Sequence, residues 1–154
     1  QDASYWPITP SRTVTVWIAI DDADPENSAM EFVPGSHLHG PLPHEDLPLD
    51  GSRVLKRQVV APESYGERTN NSMRAGEISL HSDLLLHGSQ PNRSPRRRAG
   101  LAIRYMPATS LFDRDRTADA SAGYMVDFSH RPIWLVRGED QAGRNDFQVG
   151  HGGG

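Results

Sequence analysis

His81, Asp83 and His87 fall close together in a stretch that otherwise reads as strand, and Asp2 stands beside the aromatic residues Tyr5 and Trp6. Imidazole and carboxylate together are the donors of a non-haem Fe(II) site, in which three protein ligands take one face of the octahedron and leave the rest for cosubstrate and O2. Arg98 is the other candidate. Its neighbours on the same strand face, Gly100 and Ala102, are small, so a buried guanidinium there would have open space beside it. Such a space suits a carboxylate ligand, because the fork donates two parallel hydrogen bonds, whereas an Arg buried without a partner is costly. Plainer readings stay open on the residues alone. Arg98 could face solvent, and with seven histidines in 154 residues any single one is more often structural or exposed than a ligand.

The elements that must position these groups read mostly as short strands. Residues 13–20 are β-branched and strictly alternating, with Val14, Val16, Ile18 and Ile20 on one face and Thr13, Thr15, Trp17 and Ala19 on the other. An acidic loop with Pro25 follows, then a strand over residues 30–33 that stops at Pro34-Gly35. Residues 38–52 read as an irregular, Pro-rich loop, 54–60 as a strand and 65–75 as a long polar loop. Strands are expected over 77–80 and 84–87, with Ser82-Asp83 turning between them, and Gly88 to Pro95 is a turn-rich link. Residues 97–105 alternate again: Ala99, Leu101, Ile103 and Tyr105 share one face, and Arg98, Gly100, Ala102 and Arg104 the other. Residues 113–123 are polar and without period, Ile133 to Val136 form a last apolar patch, and the tail from Gly138 is expected to be loose. With 14 Gly and 12 Pro, the composition favours turns and short elements. The expectation is a mainly β chain, specifically a jelly roll, with a core over residues 1–137 and a polar tail over 138–154.

Composition narrows the function classes. Asp and Glu outnumber Lys and Arg by 20 to 16, for a net charge of −4, so overall charge gives no reason to expect nucleic acid. The run Arg93, Arg96, Arg97, Arg98 is read as one ligand-binding Arg with solvated neighbours, because alternation splits Arg97 and Arg98 onto opposite faces. No cysteine is present, which excludes thiolate metal sites and disulfides and fits a cytoplasmic location. No apolar run approaches the roughly 18–20 residues that span a bilayer. The expected partner is a small-molecule substrate, with neither nucleic acid nor membrane.

Several segments, in order, resemble the phytanoyl-CoA dioxygenase (PhyH) family. Gln1-Asp2-Ala3-Ser4-Tyr5-Trp6-Pro7 is similar to the family's His-Gln-Asp segment followed by aromatic-Pro. Thr15 to Asp21, Glu26 to Met30 and Pro34-Gly35-Ser36-His37 resemble its strand, acidic loop and "PGSH" turn. Ala75-Gly76-Glu77 and His87-Gly88-Ser89-Gln90-Pro91-Asn92-Arg93-Ser94 resemble the segment around its second histidine, with Arg98 placed where the family binds 2-oxoglutarate. The resemblance runs from residue 1 to about 137.

It implies a double-stranded β-helix (a cupin-like jelly roll) and an Fe(II)- and 2-oxoglutarate-dependent dioxygenase. Such an enzyme uses O2 to hydroxylate an unactivated C–H bond of a small molecule, releasing succinate and CO2. Asp2 and His87 would be iron ligands. Arg98 would hold the far carboxylate of 2-oxoglutarate, with Ser89 donating to the same group and Trp17 lining the pocket. Asn92 would stabilise the turn after His87. An aspartate at position 2 argues for hydroxylation over halogenation, since halogenating relatives carry a small residue there. The family's first ligand, a His two positions before the Asp, is not in this chain, which also lacks an initiator Met. The chain therefore reads as an N-terminally truncated fragment that should bind iron poorly, and nothing in the spacing of His81 recommends it as a substitute ligand. Two other classes compete: a cupin-like non-redox metalloenzyme, such as an isomerase, and a non-catalytic jelly-roll binding domain.

Overall fold

The computed structural model describes residues 1–48, 55, 57–117 and 128–151. Parts of the loop expected over 38–52, of the strand over 54–60 and of the aperiodic stretch over 113–123 lie outside the described residues. Ten strands are described: β1 (Ile8–Thr9), β2 (Val14–Ala19), β3 (Met30–Phe32), β4 (His44–Asp46), β5 (Arg57–Val59), β6 (Thr69–Asn71), β7 (Ile78–Ser82), β8 (His87–Ser89), β9 (Gly100–Tyr105) and β10 (Leu111–Phe112). Every pairing is antiparallel. Two three-stranded sheets, β7-β2-β9 and β6-β3-β8, carry the fold, and β1-β10 and β4-β5 form two ribbons.

β2 is the central strand of its sheet, as its β-branched run favours. The alternation read from the sequence holds, and the buried face is the one bearing Thr15 (2% exposed), Trp17 (8%) and Ala19 (1%). The aliphatic face points outward: Val14 on this strand and Ile20 just after it, Ile78 and Leu80 on β7, and Leu101 and Tyr105 on β9 are all exposed. The register shows what the inward face brings together. His81, Thr15 and Arg104 form one row across β7, β2 and β9, and Ser79, Trp17 and Ala102 the next. This inward face combines the polar His81, Thr15, Arg104 and Ser79 with Trp17, Ala19 and Ala102.

Between the sheets lies a cluster of Trp17, Ala19, Ala23, Ala29, Met30 and Met73, with Phe32 packed against it. Burying an apolar side chain of this size stabilises by about 1.5–3 kcal/mol. A second cluster (Val33, Leu42, Val59, Leu86) backs the segment that leads into β8. Ile8, Phe112 and Phe128 join Trp6, Met106 and Ile133 in a third.

Several local expectations need correction. The segment 84–87 is not a strand: Leu85 N–H bonds Ser82 O in a turn, and β8 begins at His87. The segment 65–75, expected as loop, contains β6, whose polar residues Thr69–Asn71 pair with β3 through the backbone. The segment 38–52 likewise contains β4. The tail expected to be loose is tied down by Asn145, whose side chain bonds Ser110 O and Phe112 N at 2.9 and 2.8 Å. Of the patch at 133–136, Ile133 packs inward while Trp134 and Val136 are exposed. Among the described residues no helix is long and apolar enough to cross a membrane.

Candidate metal and cosubstrate site

Asp2 opens a short 3-10 turn, Asp2–Ser4, that Gln1 anchors. The Gln1 side chain is wholly engaged: its amide donates to Gly40 O (2.9 Å) and Leu84 O (2.6 Å), and its carbonyl accepts from Leu42 N (2.8 Å). Ala3 N–H adds a bond to Asp83 O at 3.1 Å. Two segments distant in sequence, 40–42 and 83–84, therefore fix the backbone around Asp2.

His87 stands at the start of β8, directly opposite Phe32 of β3. Its approach is set by Ser36, fully buried after the Pro34-Gly35 turn, whose hydroxyl accepts from Leu86 N at 2.8 Å. Gly35 makes that turn at φ +81°, a left-handed conformation that favours glycine. His87 Nδ1 lies 2.9 Å from Leu85 O, and its Nε2 lies 3.6 Å from Asp2 Oδ1. A carbonyl can only accept, so Nδ1 carries the proton and Nε2 of the neutral ring points a lone pair at a carboxylate oxygen. Burial is the main cause holding the His87 pKa down. Two acceptors facing one another call for a cation between them, and backbone anchoring of the distal ring nitrogen is the usual support of a metal-ligating histidine.

The sequence reading set His81 aside, and the structure brings it to the same place. It is buried (6% exposed), its ring centroid lies 4.9 Å from that of His87 and 5.3 Å from that of Phe32, and among the described residues its Nδ1 has no hydrogen-bond partner. Burial, then the neighbouring His87, lowers its pKa to about 4. Asp2, His81 and His87 each offer one ligand atom, all within 4.8 Å of one another. Neutral imidazoles and a carboxylate suit a divalent first-row metal such as Fe(II), so the donors present fit the group that the family resemblance implies.

Arg104 also went unremarked beyond its strand face. Its guanidinium bonds the Asp2 carboxylate, its Nε donates to Thr15 Oγ1 at 3.2 Å, and it stacks 4.0 Å above the Trp6 ring. Because Arg104 engages Oδ2, Asp2 is left with Oδ1 facing His87.

The three residues expected to hold 2-oxoglutarate lie together. Arg98 Nη2 approaches Ser89 Oγ at 3.4 Å, and its guanidinium carbon lies 5.9 Å from the Trp17 ring centroid. The neighbouring arginines are paired. Arg97 forms a two-pronged bond with Asp21 (2.8 Å each), and Arg96 bonds Asp24 (2.8 and 2.9 Å) and Glu26 (3.2 Å). These bonds are the leading cause holding the pKa values of Asp21 and Asp24 down. Asp21 also accepts from Ala99 N (2.9 Å), and the buried Asn27 donates to Arg97 O (3.2 Å), which fixes the backbone on either side of Arg98. Among the described residues Arg98 has no carboxylate partner. Asn92 caps the preceding turn, accepting from Ser94 N (2.9 Å) and donating to Arg96 O (2.7 Å). Small residues do flank Arg98, and the space at Gly100 is filled by the Trp17 indole, which a Cβ there would overlap.

The fold and this cluster define a jelly roll with a His/Asp donor set on its inner face. A family profile described as phytanoyl-CoA dioxygenase (PhyH) matches residues 1–100, and the chain belongs to that family. It is 28% identical to the peroxisomal phytanoyl-CoA dioxygenase of Bos taurus over 90% of this chain and 45% of that protein. It is 32% identical to a probable alpha-ketoglutarate-dependent hypophosphite dioxygenase of Stutzerimonas stutzeri over 70% of this chain and 38% of that protein. Among solved structures it resembles the epimerase SnoN in complex with Fe3+, alpha ketoglutarate and nogalamycin RO. That match has 28% identity and TM-score 0.56, over 72% of this chain and 42% of that one. The chain thus spans less than half the length of the relatives it matches.

Proposed function

We propose that this chain carries the metal and cosubstrate site of an Fe(II)- and 2-oxoglutarate-dependent dioxygenase that hydroxylates an unactivated C–H bond of a small molecule. The observation that carries the reading is the placement of Arg98. Among the described residues it alone of Arg96, Arg97 and Arg98 lacks a carboxylate, and it meets Ser89 two strand positions from His87. Positions i and i+2 of a strand share a face about 6.8 Å apart. A short diacid could thus reach the His87 region with one end and the Arg98 fork with the other.

In this reading Asp2 and His87 bind Fe(II). Arg98 and Ser89 hold the far carboxylate of 2-oxoglutarate, and Trp17 walls the pocket. The bound metal, with 2-oxoglutarate and O2, supplies the oxidising power, with succinate and CO2 released. The protein's share is positional. Gln1 and Arg104 fix the Asp2 carboxylate, the Leu85 carbonyl fixes the His87 tautomer, and Phe32 and Trp17 exclude water.

The test is an anaerobic titration with Fe(II) and 2-oxoglutarate, following the visible charge-transfer band. A band lost in Asp2→Ala and weakened in Arg98→Leu supports the reading, whereas a folded chain that gives no band removes it. A non-redox metalloenzyme would keep its activity in Arg98→Leu. Because the similar structures include an alpha-ketoglutarate-dependent epimerase and a carbocyclase, product analysis decides between gain of an oxygen atom, an isomer of unchanged mass and a product lacking two hydrogens.

A further inference from the structure

We propose that Asn27, together with Asp21, is a positioning residue for 2-oxoglutarate: the loop they fasten sets Arg98 against Ser89 and so sets the affinity for the far carboxylate. The role rests on the oxygenase reading above and deepens it.

Arg98 and Ser89 belong to different sheets. Ser89 is the last residue of β8, in the sheet β6-β3-β8, and Arg98 stands just before β9, in the sheet β7-β2-β9. Among the described residues no strand pairing joins β8 to β9. Instead β8 pairs with β3 and β9 with β2, so the segment that links β2 to β3, residues 20–29, crosses from one sheet to the other. It is fastened on both sides. Asp21 accepts from Ala99 N at 2.9 Å, and Asn27 donates to Arg97 O at 3.2 Å. These two bonds flank Arg98. On the other side the buried Ser28 donates its hydroxyl to Gln90 O, the residue after Ser89.

Asn27 fills a place that suits an amide. It is 1% exposed. Its second N–H donates to Asp22 O at 2.7 Å, and its Oδ1 accepts from Asp24 N at 2.8 Å. A carboxylate has no hydrogen for the two carbonyls, and an apolar side chain would strip all three backbone groups of these bonds. One buried side chain thus locks the shape of the acidic loop and ties it to the backbone that carries Arg98. A guanidinium grips a carboxylate through two parallel hydrogen bonds, and hydrogen bonds weaken steeply when misaligned. A shift of the Arg97–Ala99 backbone therefore reaches the far carboxylate while leaving Asp2 and His87 alone.

The experiment measures binding rather than turnover. The full chain is loaded with Mn(II) and titrated by calorimetry with 2-oxoglutarate and with 2-oxobutyrate, which has the same keto-acid end and no far carboxylate. Asn27→Ala should weaken 2-oxoglutarate by about 10-fold or more, with Mn(II) and 2-oxobutyrate affinities unchanged. In an Arg98→Leu background the same substitution should have no further effect on 2-oxoglutarate, because a residue that acts through Arg98 has nothing left to position. In case Asn27→Ala unfolds, Asp21→Ala, which removes the acceptor for Ala99 N from a partly exposed position, carries the same expectations. Unchanged 2-oxoglutarate affinity overturns the inference. So does a parallel loss for both keto acids, or an effect that persists in full beside Arg98→Leu. Each of these leaves the oxygenase site standing, whereas a folded, Mn(II)-loaded wild type that binds no 2-oxoglutarate overturns both.

Discussion

His87 Nε2 lies 3.6 Å from Asp2 Oδ1, while His87 Nδ1 is held at 2.9 Å by the Leu85 carbonyl. The carbonyl fixes which nitrogen bears the proton and so aims a lone pair at a carboxylate. Without a cation this pairing is repulsive, and with one it is a chelate.

That relationship predicts the effect of metal on stability. Fe(II) or Mn(II) held between these atoms would relieve the repulsion, so it should raise the unfolding free energy by about 2.7 kcal/mol at one hundred times Kd. Asp2→Asn keeps the shape but loses the charge, and should abolish most of that gain. Urea unfolding with and without metal measures it, and an equal gain in Asp2→Asn would show that the metal sits elsewhere.

Arg98 should divide metal binding from cosubstrate binding. Each charge-assisted hydrogen bond is worth about 1.5–3 kcal/mol, so Arg98→Leu should weaken 2-oxoglutarate by about 10–100-fold while Fe(II) affinity changes little. Arg98→Lys should recover only part of the loss, because an ammonium cannot reproduce the two-pronged fork. Calorimetry with each ligand separately checks the split. A parallel loss of metal affinity would contradict the assignment.

Gly100 is required by Trp17. A Cβ at this position would overlap the indole ring, so Gly100→Ala must push Trp17 from the wall beside Arg98. Overpacking of this kind costs about 1–3 kcal/mol. The expected result is a lower urea midpoint with shifted tryptophan fluorescence and weaker 2-oxoglutarate binding. An unchanged midpoint and emission spectrum would show that the ring is free to move.

How much of this was legible in the sequence depends on what fixed each position. Arg98 and Trp17 lie on or next to alternating strands, and period two places them on faces without further information, whereas Ser89, read within a turn-rich link, came from the family resemblance alone and stands in β8. Arg104 shared the face read for Arg98, but its partner Asp2 is 102 residues away and no periodicity reports that contact. His81 was illegible for a related reason. The turn at Asp83–Leu85 carries the chain from one sheet to the other, so the distance between His81 and His87 follows from the packing of two sheets and not from their spacing. β6 escaped because Thr69–Asn71 has no apolar pattern and is held by ladder bonds to β3. Alternation alone left open which face of β2 turns inward, and the buried face is the one bearing Thr15, Trp17 and Ala19.

Acid should unfold the metal-free chain over a window set by its buried histidines. Burial lowers the pKa of His81 to about 4 and those of His87 and His44 in the same direction. In the unfolded chain each titrates near its ordinary value of about 6.5. Between those limits the unfolded state binds more protons than the folded one, so stability rises with pH there. The contribution is present above about pH 6.5 and is lost as pH falls from there towards about 4. Urea midpoints taken across this range should decline steadily on acidification. The decline should be shallower in His81→Phe, which removes the group with the largest displacement. A midpoint flat from pH 7 to 4.5, or an equally steep decline in His81→Phe, would show that His81 is not held neutral by its surroundings.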